Sequence, residues 1–169
     1  MPSYRNCVIT RVERVENRVL HENYTVQRRR SVETITKTLD TVSPSHQTRC
    51  CMGCCIMMTL TKLPMLAGTQ VGVIWGIGTY CARDAKYRHA YTESKNDVLT
   101  EQSQRKMLLN GVIVGQWVKG EEGMKLYPNV KGEKYQYNSM VNDVDNPSIF
   151  VIQHSNQTYP AYVITYTSA

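Results

Sequence analysis

The chain has 169 residues, enough for one domain with at most a short tail. Apolar residues make up 41% and charged residues 20%, a balance that excludes an intrinsically disordered chain. The net charge of +6 is local: residues 1–49 carry nine basic and five acidic side chains and residues 81–169 carry ten and nine, so no broad basic face for coating nucleic acid is expected.

The opening, MPSYRNCVITRVERVEN, has no uninterrupted apolar run and does not read as a signal peptide. The longest weakly polar stretch, residues 50–60, is too short to span a bilayer. Four of the six cysteines fall at Cys50, Cys51, Cys54 and Cys55, which is not the spacing of a secreted disulfide framework. A single domain over 1–169 in an intracellular setting, nuclear or cytoplasmic, without a membrane partner, is the expectation.

Residues 5–13 alternate apolar and polar side chains and predict a short strand. Val15, Val19, Leu20, Tyr24 and Val26 recur at three-to-four spacing and predict a helix over about 15–30, with Asn17 available as its cap if it starts slightly later. Arg28, Arg29 and Arg30 then fall in the last turn, where cations suit the helix dipole. A polar connection with Pro44 is expected over 31–49. Composition changes abruptly at Arg49: residues 50–66, CCMGCCIMMTLTKLPML, hold four of the six Cys and four of the eight Met, and the segment reads as a local sequence error or a decayed stretch. The second half reads as β-rich. GVIVGQW (111–117), SIFVI (148–152) and AYVITY (161–166) predict strands, the most apolar of them covered on both faces. Between them, residues 120–139 read as a long loop, and a loop of that length inside a compact domain is usually functional or mobile. The fold class is therefore α+β.

Gly76-Ile77-Gly78 is not a dinucleotide fingerprint, because a third glycine would fall on Cys81. Tyr80, Tyr87 and Tyr91 fall within a twelve-residue stretch just after these glycines, and aromatic faces beside backbone that can approach closely suit a flat heteroaromatic ligand. His46, Cys51 and Cys54 with Cys50 or Cys55 make at most half a zinc site, and no metal is expected. His21 and His154 read as exposed residues rather than catalysts.

GIGTYCARDAKY (76–87) resembles the G-x-G-x-Y-F-A segment of the poly(ADP-ribose) polymerase superfamily, the diphtheria-toxin-like ADP-ribosyltransferases. TYPAYVITYTSA (158–169) is similar to that family's Y-P-E-Y-L-I-T-Y ending, and YNSMVNDVDNPSIFVI (137–152) to its Y-D-S-x-V…N-P-x-I-F-V segment. RVERVENRVLHENY (11–24) resembles its strand-to-helix opening. The resemblance covers essentially the whole chain, and the seven-residue spacing from Tyr80 to Tyr87 looks most like the mono-ADP-ribosylating branch.

The resemblance implies an ADP-ribosyltransferase fold of two packed, mostly antiparallel sheets with an N-terminal helix. It implies NAD as substrate, no metal, a protein acceptor, and no role for nucleic acid in this domain. Carried over residue by residue, the family's His-Tyr-Glu triad falls on Met52, Tyr80 and Ile149. Gly53 would pair its backbone with the nicotinamide carboxamide, Tyr80 and Tyr91 would stack on the ring, and the carboxamide-bonding Ser falls on Arg88. Met52, Arg88 and Ile149 depart from the pattern. A thioether does not replace imidazole toward a ribose hydroxyl, and Ile149 has no group with which to activate a growing polymer. Single-unit transfer is the implied activity. A catalytically dead binding module of the same fold is the second reading, and a small zinc or nucleic-acid module built on the Cys cluster and Arg28–Arg30 the third.

Overall fold

The computed structural model describes residues 7–39, 54–57, 74–85 and 104–168. Strand β1 (Cys7–Arg14) leads into helix α1 (Arg18–Leu39); the remaining described elements are β2 (Cys54–Met57), β3 (Thr79–Ala82), β4 (Gln104–Val112), β5 (Trp117–Lys119), β6 (Ser139–Val141), β7 (Ile149–Ile152) and β8 (Thr158–Ser168). Within the described residues the spatial order is β1-β8-β4-β2-β3-β7-β6-β5. Every pairing is antiparallel except β5 with β6. This is the expected α+β architecture with an early helix. The short β2 hydrogen-bonds to β4 on one side and β3 on the other, so the ladder runs unbroken across what the family resemblance pictures as two layers.

Helix α1 begins where its cap allows. The Leu20 backbone N–H donates to Asn17 Oδ1 at 3.0 Å, and the His21 N–H donates to the Asn17 carbonyl. Satisfying these otherwise orphaned donors fixes the start of the helix at Arg18. The helix then runs nine residues past the expected end. Val32, Ile35 and Leu39 continue the three-to-four spacing, and the intervening threonines, read as a polar connection, lower helix propensity only slightly. Arg28, Arg29 and Arg30 consequently lie mid-helix and exposed, so the dipole argument for them does not hold. The helix sits against β8 through Tyr24 and His21, whose rings lie 5.9 and 5.2 Å from that of Tyr159.

GVIVGQW is not one strand. β4 ends at Val112 and β5 begins at Trp117, because Gly115 takes φ +61° and turns the chain. The Gln116 N–H then donates to Asn138 Oδ1 at 3.0 Å, anchoring the turn. β7 is buried along its whole length, as its apolar run predicts. It divides the core. Phe150 and Ile152 pack with Cys81, Val112, Val114 and Val141 on one side. Val151 packs with Met140 and Tyr127 on the other, against Trp75, Tyr80, Val118, Met124 and Tyr137.

Candidate functional site

The two triad positions that lie in described residues sit on neighbouring strands. Tyr80 on β3 pairs with Val151 on β7, and Ala82 pairs with Ile149. Side chains alternate along a strand, so Tyr80 and Ile149 emerge on one face, a diagonal of roughly 7–8 Å apart. Ile149 is 5% exposed. Its position at the start of β7 is set by Asn142, whose Oδ1 accepts the Ser148 and Ile149 backbone N–H groups at 3.0 and 2.9 Å. Asn142 Nδ2 donates to Ser148 Oγ at 3.0 Å. One side chain thus closes the turn between β6 and β7.

Tyr80 is half-buried, and its phenol is held by backbone at both lone pair and proton. Its hydroxyl donates to the Gly76 carbonyl at 2.8 Å and accepts the Trp75 N–H at 3.1 Å. Burial pushes the phenol above its ordinary pKa, and the Trp75 N–H offsets this only in part. The group is therefore neutral through the physiological range, with its proton already committed. Such a tyrosine supplies a fixed aromatic face rather than an acid or base.

The turn that holds it depends on Gly76. This residue is buried at φ +103°, and a Cβ there would stand 2.6 Å from both Sδ and Cε of Met140. The loop from Gly120 to Asn138 lies behind the turn. Its Met124 carbonyl accepts the Ile77 N–H at 2.8 Å. Tyr127, 4% exposed, accepts the Gln153 N–H at 2.7 Å. The loop expected to be functional or mobile is thus hydrogen-bonded to the back of the site. No sequence pattern marks Trp75, Met140, Tyr127 or Gln153 as part of this arrangement.

Met52, Gly53, Arg88 and Tyr91 lie outside the described residues, as do His46, Cys50 and Cys51. Among the described residues no group of three or more His, Cys, Asp or Glu could hold a metal ion, and no helix is long and apolar enough to cross a membrane. His21 and His154 are exposed, as read from sequence, each edge-on to a tyrosine ring. A shallow cleft of about 320 Å³ opens at the start of α1 between Arg14, Glu16, Asn17, Arg18, His21 and Tyr159. It contains none of the residues expected to contact NAD.

No family model matches the chain. Among curated proteins it is 41% identical over 99 residues to the protein mono-ADP-ribosyltransferase PARP12 of Homo sapiens, a match covering 58% of this chain and 13% of the relative. It is 33% identical over 110 residues to the protein mono-ADP-ribosyltransferase PARP11 of Mus musculus, covering 56% of this chain and 33% of that one. The chain is similar to members of the poly(ADP-ribose) polymerase superfamily. Within it, the similarity is to the mono-ADP-ribosylating branch. The chain spans only about an eighth of the PARP12 relative and a third of the PARP11 one. In three dimensions it is similar to the PARP domain of Arabidopsis RADICAL-INDUCED CELL DEATH1, with a TM-score of 0.61 over 98% of this chain and 90% of that one at 16% identity. That likeness bears on the fold. The antiparallel pairing of β3 with β7 brings Tyr80 and Ile149, 69 positions apart in sequence, onto adjacent strands.

Proposed function

We propose that this domain transfers a single ADP-ribose from NAD to a protein side chain and releases nicotinamide. The observation that carries the proposal is the diagonal placement on one sheet face of a hydroxyl-locked aromatic ring, Tyr80, and an apolar residue, Ile149, where a polymerising enzyme needs a carboxylate.

In this reading the pyridinium ring of NAD lies flat on Tyr80, with Tyr91 as the second ring and the Gly53 backbone pairing with the carboxamide. The face is suited to that ring because the phenol is fixed at its far end and does not compete for the substrate's polar groups. The acceptor nucleophile adds to the ribose carbon as the bond to nicotinamide breaks. Nicotinamide leaves neutral, taking the bonding pair, and any proton on the nucleophile passes to the acceptor's own environment. Ile149 offers no hydrogen bond to a ribose hydroxyl, so a second unit is not activated for addition. Met52 and Arg88 replace a His and a Ser that would help to hold the substrate. One missing bond to a buried partner costs about 1–3 kcal/mol, or roughly tenfold or more in binding or rate.

Incubation with NAD labelled on the adenylate moiety tests this directly. The expected result is a protein-bound label of one ADP-ribose per site with an equal yield of nicotinamide, increased by Met52→His. Tight NAD binding with no transfer, and none gained with Met52→His, would leave a binding module in place of an enzyme.

A further inference from the structure

Gln153, the residue following β7, lies outside the triad and outside every motif quoted from the sequence. Its side chain nevertheless joins the two segments that flank Tyr80. Nε2 donates to the Lys125 carbonyl at 2.7 Å and to the Ile77 carbonyl at 3.2 Å. Both partners are acceptors, so the amide nitrogen, not the oxygen, must face them. The Gln153 backbone N–H reaches the same loop again through Tyr127 Oη.

Ile77 is the residue between the two glycines. Its N–H is taken by Met124 and its carbonyl by Gln153, so both of its peptide groups are tied to elements outside the turn. Immediately upstream, the Gly76 carbonyl and Trp75 N–H hold the Tyr80 hydroxyl. A chain of contacts therefore runs Lys125–Gln153–Ile77–Gly76–Tyr80. With φ +103° at Gly76, this turn has no regular secondary structure of its own to keep it in place.

We infer that Gln153 is a positioning residue: by donating to Ile77 and Lys125 together, it clamps the Trp75–Gly78 turn against the 120–127 loop and so sets the plane of the Tyr80 ring. The inference rests on the reading of that ring as the nicotinamide platform for its effect on NAD, and on hydrogen bonds alone for its effect on the turn. A platform that contacts substrate and transition state alike changes affinity more than turnover.

Two variants of the full chain test it, Gln153→Leu and Gln153→Glu, each made with Trp117→Phe so that Trp75 is the one remaining indole. Glu keeps the shape of Gln but presents no donor at neutral pH to two carbonyl oxygens. At neutral pH both variants should shift the Trp75 emission, and both should weaken NAD binding by calorimetry about tenfold, the effect of losing about one net hydrogen bond. Where turnover is measurable, KM for NAD should rise by a like factor with kcat at saturation within about threefold. Acidification should partly restore the Trp75 emission of Gln153→Glu, because a protonated carboxyl regains one of the two donated bonds, and should leave Gln153→Leu unrestored. That reversal within one molecule also excludes misfolding as the cause. If Gln153→Glu matches the Trp117→Phe parent at neutral pH in emission and affinity, the side chain acts by shape and the inference is wrong. A parent that binds no NAD sinks the proposed function, while the emission series still decides the clamp: no shift in either variant overturns it.

Discussion

Removing one oxygen atom from the loop behind the site, in Tyr127→Phe, gives a prediction whose size and pH dependence both follow from geometry. The hydroxyl is enclosed, with the residue 4% exposed, and accepts the Gln153 N–H at 2.7 Å. Phe fills the same space but leaves that amide unpaired, which costs about 1–3 kcal/mol at neutral pH. Burial also drives the Tyr127 phenol far above its ordinary pKa of 10, more than the Gln153 N–H lowers it. An acid whose folded pKa is raised contributes stability that is whole below the unfolded value and declines as pH rises past it, because the unfolded phenol ionises and the folded one does not. Between pH 7 and 11 the parent should therefore lose about 1.4 kcal/mol that Tyr127→Phe does not lose. Urea unfolding of both proteins at a series of pH values reads the difference directly. The gap should be largest at neutral pH and narrow above pH 10. A gap that stays constant or widens with pH would refute the account of a buried, neutral phenol.

Gly76→Ala places a side chain at φ +103° against the fully buried Met140, and both strain and overpacking apply; a destabilisation of about 2–4 kcal/mol is expected in denaturant unfolding, against near neutrality if the turn can relax. Asn142→Ala removes the acceptor of two backbone N–H groups, so stability should fall by about 2–3 kcal/mol and amide exchange at Ser148 and Ile149 should accelerate ahead of the rest of β7. Asn17→Ala deletes the cap of α1 and should cost about 1 kcal/mol, seen as a lower thermal midpoint. Glu22→Gln, by contrast, breaks an ion pair whose side chains are 91% and 58% exposed and should leave the midpoint almost unmoved.

Particular residues explain how far the sequence alone reaches. The apolar run IFVI predicts a strand covered on both faces, and β7 is buried throughout. Asn17 predicts its own role because capping is local chemistry. The end of α1 is misjudged because threonine-rich helix and polar loop look alike over a single turn, and only the spacing through Leu39 separates them. The break in GVIVGQW escapes because a glycine's φ is settled by what lies across from it, here Asn138, 22 residues beyond Gln116. At the candidate site, the motifs that hold Tyr80 and Ile149 are legible in the sequence, and the structure sets the two residues on neighbouring strands. The contacts of Gln153, Tyr127, Trp75 and Met140 are not legible there, because they exist only once a loop folds back onto a turn 45 or more residues earlier in the chain.

Titrating isotope-labelled protein with NAD, and following the ring signals of Tyr80 together with the backbone signals of Gly76 and Ile149, is the most direct test of where the substrate sits. The account predicts saturable shifts at all three, with the Tyr80 ring moved furthest by the stacked pyridinium. Shifts confined to the cleft of Arg14, His21 and Tyr159, with Tyr80 silent at saturation, would contradict it.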